Sequence, residues 1–163
     1  MNVLRAPITI ALAIAAVALA TPAADARTSS FSGDACSLLS ASQLKPVHVS
    51  ASCRQKSSSI RYGKMTWATW GNIHGAFVLA QVDAVNPAYA GPARALIDKG
   101  GTPVGVGDWS RFKGFANGRT EARIDFGVGH FIVGVSVRTP TKQPLTSSKP
   151  VLAIAKTIAA KLG

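Results

Sequence analysis

Acidic residues are scarce in this sequence. The 163-residue chain has 7 Asp and Glu against 18 Lys and Arg, which gives a formal net charge of +11. After residue 26 the acidic side chains are Asp34, Asp83, Asp98, Asp108, Glu121 and Asp125. With so few acidic residues, a hydrolase site built on two carboxylates is disfavoured. The basic excess favours anionic partners such as phospholipid head groups, wall polymers or nucleic acid.

Cysteine is almost absent as well. Only Cys36 and Cys53 occur, and neither has the neighbouring His or Cys residues of a zinc motif. In an oxidising compartment two cysteines without a third partner pair with each other, so we predict a Cys36–Cys53 disulfide. No cysteine then remains for catalysis, and we predict no metal site.

Motifs of known catalytic sites are missing. The chain has neither a GxSxG elbow nor an HExxH helix, and His48, His74 and His130 fall in three separate segments. Residues 105–108 (GVGD) lack the third glycine and the Lys-Ser/Thr of phosphate-binding loops, so we interpret them as a turn. We predict no catalytic residue and no cofactor. An alternative is a small secreted hydrolase that uses a histidine such as His130 with a nearby acid.

Long apolar runs are limited to residues 8–20. Arg5 precedes this run, Thr21-Pro22 ends it, and residues 24–26 (Ala-Asp-Ala) have the small-x-small pattern of a cleavage site. The run is shorter than the roughly 20 apolar residues that span a bilayer. We therefore predict a signal peptide over residues 1–26, cleaved near Ala26, and no transmembrane segment after processing.

The exported part is predicted to be a flexible lead-in over residues 27–34 and a single domain over residues 35–163. Arg5 and Asp25 cancel, so the whole charge excess lies after the signal peptide. Export argues against nucleic acid as the partner. It favours an anionic envelope component or another exported protein, with the chain in the periplasm, in the cell envelope or outside the cell.

Strand-like runs dominate the middle of the sequence. Residues 64–70 and 76–83 form a predicted hairpin with a loop at residues 71–75. Side-chain alternation puts Trp67 and Trp70 on opposite faces of the first strand. The polar, basic residues after Cys53 are expected to be a loop that runs into this strand.

A second hairpin is predicted from Trp109 onward. A three-residue turn at residues 117–119 sets Phe112 opposite Ile124 and Arg111 opposite Asp125, which keeps the charges outside. Residues 120–126 alternate apolar and charged side chains, so one face of this strand is expected to be wet. Residues 130–138 continue the sheet.

Two helices complete the predicted fold. One begins at either Asn86-Pro87 or Gly91-Pro92 and ends at Gly100-Gly101. The last helix is capped by Ser148 and has an apolar stripe formed by Val151, Ala155, Ile158 and Leu162. We predict an α+β domain with an antiparallel sheet of about five strands, a middle helix, and a C-terminal helix packed on one face.

The basic residues fall into two groups along the chain. The first comprises Arg54, Lys56, Arg61 and Lys64, and the second comprises Arg111, Lys113, Arg119 and Arg123. If both groups share a face with Tyr62 or a tryptophan, they form an anion-binding patch. The residues predicted to bind an anion are Lys64, Arg111, Lys113, Arg119 and Arg123. The alternative is a merely solvated basic surface.

Short stretches in a fixed order carry a family resemblance. They are DACSLLSASQL at residues 34–44, a second cysteine before a tryptophan-containing strand, VGVGDW at 104–109, and IAKTIAAKL at 154–162. This order resembles a loose family of small exported envelope proteins and lipoproteins of actinobacteria, related to extracellular sensor domains of receptor kinases. The resemblance implies binding or sensing, and it brings no catalytic residue. The lipid-anchoring cysteine of many members is missing here, so membrane attachment is not implied.

The predicted function is that of a non-enzymatic envelope or extracellular binding domain, of the sensor type, with a basic surface for anionic ligands. Besides the histidine hydrolase, a basic antimicrobial or inhibitor protein stays open as an alternative.

Overall fold

The computed structural model describes residues 31–97 and 99–163, without the side chain of Leu96. The predicted signal peptide and its cleavage near Ala26 lie outside the described residues, as do residues 27–30 of the predicted lead-in. Phe31, also in that lead-in, packs its ring edge-on against Phe131 with the ring centres 5.7 Å apart.

A six-stranded antiparallel sheet forms the centre of the fold, with strand order β1-β2-β3-β6-β5-β4. The strands are β1 Cys53–Ile60, β2 Gly63–Gly71, β3 Phe77–Val85, β4 Trp109–Ala116, β5 Glu121–Val128 and β6 Phe131–Arg138. The helices are α1 Ala41–Leu44, α2 Pro87–Ile97 and α3 Lys149–Leu162, with short 3₁₀ turns at Ala35–Leu38 and Lys45–Val47. The α+β prediction is confirmed, with six strands instead of about five.

The additional strand is β1, where a loop was expected. All its residues between Cys53 and Ile60 are exposed, so neither face of the strand shows an apolar pattern in the sequence. The strand forms because β2 supplies a continuous hydrogen-bonding edge along its whole length. The predicted Cys36–Cys53 disulfide is present and joins the start of β1 to the 3₁₀ turn Ala35–Leu38.

One face of the sheet is the core face, and helix α3 covers it. The predicted stripe of Val151, Ala155, Ile158 and Leu162 is buried there. Trp70 is buried on the same face, whereas Trp67 lies half-buried on the other, as the alternation predicted. Ser148 occupies the N-cap position of α3, but its side chain makes no capping hydrogen bond.

The register of the second hairpin is as predicted, although its cause differs. Arg111 lies opposite Asp125 and Phe112 opposite Ile124. The connecting loop comprises residues 117–120, one residue more than expected, and a bulge at Lys113 restores the register between Phe112 and Gly114. Helix α2 begins at the earlier of its two predicted starts and ends at Ile97, before the predicted glycine stop.

A candidate anion-binding face

The sheet face opposite α3, which we call the open face, gathers basic side chains in two rows. Pairing between neighbouring strands sets the residues of each row side by side. The first row is Arg54, Thr69, Leu79, Ser136 and Arg123, and the second is Lys56, Trp67, Gln81, Gly134, Asp125 and Arg111. Each row therefore has a cation at both ends. Arg54 and Arg123 are four strand spacings apart, about 19 Å at about 4.8 Å per spacing.

Two neighbouring cavities occupy this face. The first cavity, of about 610 Å³, lies over β1 to β3 and is bordered by the β2–β3 loop. Its lining is Arg54, Lys56, Trp67, Thr69, Gly71, Asn72, Ile73, His74 and Leu79. The second cavity, of about 390 Å³, shares Leu79 with the first and extends to Arg123, Ser136 and Arg138. Both volumes are in the range of small-molecule sites.

Helix α2 closes the remaining part of the open face. It contacts β6, and Ile132, which points to this face, is only 6% exposed. The Arg94 guanidinium lies 5.5 Å from the centre of the Trp109 ring. Asp83 is also on this face, and burial raises the pKa of its carboxyl group, while a hydrogen bond donated by the Gln81 amide opposes the rise. Neither of the two cavities is lined by a described residue of α2, so the helix leaves both cavities accessible.

Two of the predicted anion-binding residues have their donors engaged by the protein itself. Lys113 Nζ donates to the carbonyl oxygens of Ile97, Lys99 and Gly100 at 2.9, 2.6 and 3.2 Å. Arg119 donates to the carbonyls of Leu145 and Thr146, at 2.9 and 3.1 Å. These side chains hold the α2–β4 connection and the segment before α3 in place.

Lys64 does not join the other predicted residues. It shares the parity of the buried Thr66 and Trp70 along β2, so it belongs to the core-face side, where it is exposed at the strand's start. Because side chains alternate along the strand, Lys64 points to the face opposite that of Trp67. The two basic groups share the open face, on opposite sides of a floor that contains Trp67, and the first group contributes Arg54 and Lys56 instead of Lys64.

Arg111 and Arg123 lie on the open face around a buried carboxylate. Arg123 Nε donates to Asp125 Oδ1 at 2.9 Å, and Lys113 Nζ lies 3.7 Å from Asp125 Oδ2. The Arg123 side chain remains 56% exposed. Gly134 makes room for this pair, because a Cβ there would lie 3.2 Å from both Arg123 Nη2 and Asp125 Oδ1. The expectation that this face of β5 is wet was wrong at Asp125, which is 3% exposed.

Arg54 and Lys56 are the site residues that the sequence prediction left out. Both are exposed, and within the part of the chain that the structure describes neither forms a salt bridge. Their position next to Trp67 and Thr69 follows from the pairing of β1 with β2. Arg54 and Lys56 are two residues apart, which puts them on the same face of a strand. This shared face was missed because β1 was interpreted as a loop.

The histidines lie apart from one another. His48 is exposed in a left-handed conformation after the second 3₁₀ turn, and His74 is exposed at the border of the first cavity. His130 is exposed before β6, with its ring centre 4.1 Å from that of Phe131. Within the described residues no group of three or more His, Cys, Asp or Glu could hold a metal ion.

Residues 105–108, interpreted from the sequence as a turn, lie in the α2–β4 connection, with a bend at Gly107 and Asp108. Gly105 and Gly107 have φ values of +61° and +62°, which favour glycine. The Asp108 carboxylate accepts a hydrogen bond from the Gly129 amide at 2.7 Å, so this segment is tied to the β5–β6 connection. Its polar groups serve the fold.

None of the helices within residues 31–97 and 99–163 is both long and apolar enough to cross a bilayer. Searches with protein-family models, among curated proteins and among solved structures found no match to this chain.

Proposed function

We propose that this chain is an exported, non-enzymatic binding domain whose open face contacts an anionic component of the cell envelope. The observation that carries the proposal is the set of cations, Arg54 and Lys56 at one border and Arg123 at the other, around a floor that contains Trp67. Cations around a shared concave surface raise the local concentration of anions and steer them toward it.

Export is supported by two features. The Cys36–Cys53 disulfide is typical of oxidising compartments. The N-terminal sequence has the layout of a signal peptide. The resemblance to exported envelope proteins agrees with both, and the net charge of +11 suits an anionic surface outside the cytoplasm.

A binding role is favoured over hydrolysis by the chemistry of the first cavity. Its lining residues include cations, an indole, Thr69, Asn72 and His74, but no carboxylate and no cysteine. An activated nucleophile needs a base within hydrogen-bond reach and a third group that orients the base. Among the lining residues His74 is the one base, and a carboxylate to orient it is not among them.

Co-sedimentation of the oxidised domain with isolated cell envelope, and with vesicles containing phosphatidylglycerol, tests the proposal. The informative variant is Arg54→Gln/Lys56→Gln. The control is Lys64→Gln/Lys156→Gln, which removes the same charge from exposed positions on the other side of the sheet. A cation near an anionic membrane surface contributes about 1 kcal/mol. The informative variant removes two cations, so it should bind roughly thirty-fold more weakly.

High salt should abolish this binding, because screening acts on exposed charges. If both variants weaken binding equally, binding follows the net charge and the open face has no special role. If the protein does not bind envelope or vesicles at low salt, the proposal is wrong.

A further inference from the structure

The first cavity combines an aromatic floor with polar groups that lack protein partners. Trp67 and Leu79 supply half-buried apolar surface on neighbouring strands. Thr69 lies beside Leu79, and its hydroxyl has no hydrogen-bond partner within the described part of the chain. The same holds for the hydroxyl of Ser136, on the other side of Leu79 in the second cavity. Such a floor suits a ligand that has both a flat apolar face and hydroxyl groups.

On this basis we infer that the first cavity binds one ring of an anionic saccharide, with the C–H face of the sugar on the Trp67 indole. Its carboxylate or phosphate lies at Arg54 and Lys56, which border the cavity on the β1 side. The sugar hydroxyls bond to Thr69 and to groups of the β2–β3 loop. This inference rests on the proposed function and names the class of ligand for that face.

A fatty acyl chain fits this floor less well. An acyl chain needs a continuous apolar trench, because every polar group it covers loses its bond to water. Along the first row, Leu79 is flanked by the hydroxyls of Thr69 and Ser136, and along the second row Trp67 is followed by Gln81. Polar groups thus interrupt the apolar surface in both rows.

Because the two cavities adjoin along a row that runs across the strands, we expect an oligosaccharide to bind across the strands. They share Leu79, and the second one leads to Arg123 at the far end of the row, about 19 Å from Arg54. The exposed guanidinium of Arg123 can meet a second anionic sugar while it keeps its bond to Asp125. Linked units bind more tightly than a single unit, because the second contact becomes intramolecular.

The test follows the indole N–H signal of Trp67 by NMR while galacturonate, galactose or acetate is added. Trp67→Phe assigns the signal. Galacturonate should bind with a Kd of about 1 mM, and galactose and acetate at least ten-fold more weakly. A galacturonate oligomer should bind at least ten-fold more tightly than the monomer. Equal affinity for acetate and galacturonate, or for galactose and galacturonate, would overturn the inference.

Two variants link the ligand to the cavity. Trp67→Ala should abolish monomer binding, and Thr69→Val, which keeps the side-chain shape, should weaken it by about five-fold through the loss of one hydrogen bond. If Trp67→Ala does not fold, Thr69→Val decides alone, and unchanged affinity for galacturonate in that variant would refute the inference.

The same variants separate this inference from the proposed function. Envelope binding that is unchanged in both Trp67→Ala and Thr69→Val but is lost in Arg54→Gln/Lys56→Gln would leave the proposed function intact and refute the saccharide. Envelope binding that Arg54→Gln/Lys56→Gln does not change would refute the proposed function itself.

Discussion

Replacing Cys36 and Cys53 by alanine should lower the free energy of unfolding by about 3 kcal/mol. The disulfide closes a loop with a sequence separation of 17, and opening a loop of this size restores that much conformational entropy to the unfolded chain. Small domains are stable by only about 5–15 kcal/mol, so the loss is large. With a urea m-value of about 2 kcal/mol/M, the unfolding midpoint should fall by about 1.5 M.

The assay is urea unfolding followed by tryptophan fluorescence. Unmodified protein in a reducing agent is the matched comparison, because it opens the same loop and keeps both sulfur atoms. Both samples should show the lower midpoint. If the reduced protein unfolds at the midpoint of the oxidised protein, the disulfide does not constrain the unfolded chain, and the reasoning is refuted.

Opening the disulfide should also loosen the cationic border of the open face. Strand β1 is an edge strand, tied to the rest of the fold through β2, through Cys53, and through Gln55 bonds to the N-terminal segment. Gly71 N donates to the carbonyl of Ser52, so the amides of Arg54 and Lys56 bond to β2 by alternation. Their hydrogen exchange should therefore quicken more than exchange at the centre of β3.

Two further predictions concern the α2–β4 connection and a half-buried carboxyl group. Gly107→Ala should destabilise the fold by about 2 kcal/mol or more, because its φ is +62° and the new Cβ would lie 2.2 Å from a backbone oxygen of β5. Gly105→Ala, with a φ of +61° and open space around it, should cost only about 1 kcal/mol in urea unfolding. Burial raises the pKa of Asp83, so the folded state holds this proton more tightly than the unfolded state. The stability contributed by the protonated Asp83 is therefore complete below the unfolded-state pKa and is lost as pH rises through the folded-state pKa. Asp83→Asn should remove this pH-dependent loss of stability in urea unfolding. A variant whose stability changes with pH as in the unmodified protein would contradict the prediction.

The elements predicted best are those with one buried face. When one face of an element is buried, apolar residues recur in the sequence at its structural period, which is two residues in β5 and β6 and about 3.6 in α3. All three elements were identified from the sequence with the correct core-facing side chains. Strand β1 was missed because it is exposed on both faces and its pairing depends on β2 alone. The hairpin register was predicted from the charges of Arg111 and Asp125, but no local signal places the extra residue at Lys113.

The sequence by itself determined the kind of surface this protein presents. Its net charge, its single pair of cysteines and its alternating strands predict a basic, disulfide-closed α+β domain. Only the tertiary structure decided which cations can meet a ligand. Lys113 and Arg119 donate to backbone carbonyls that are 13 to 27 residues away in the chain, and strand parity turns Lys64 away from the open face. Charge belongs to a residue and can be counted along a sequence, whereas the partner that engages it is set by contacts between distant segments.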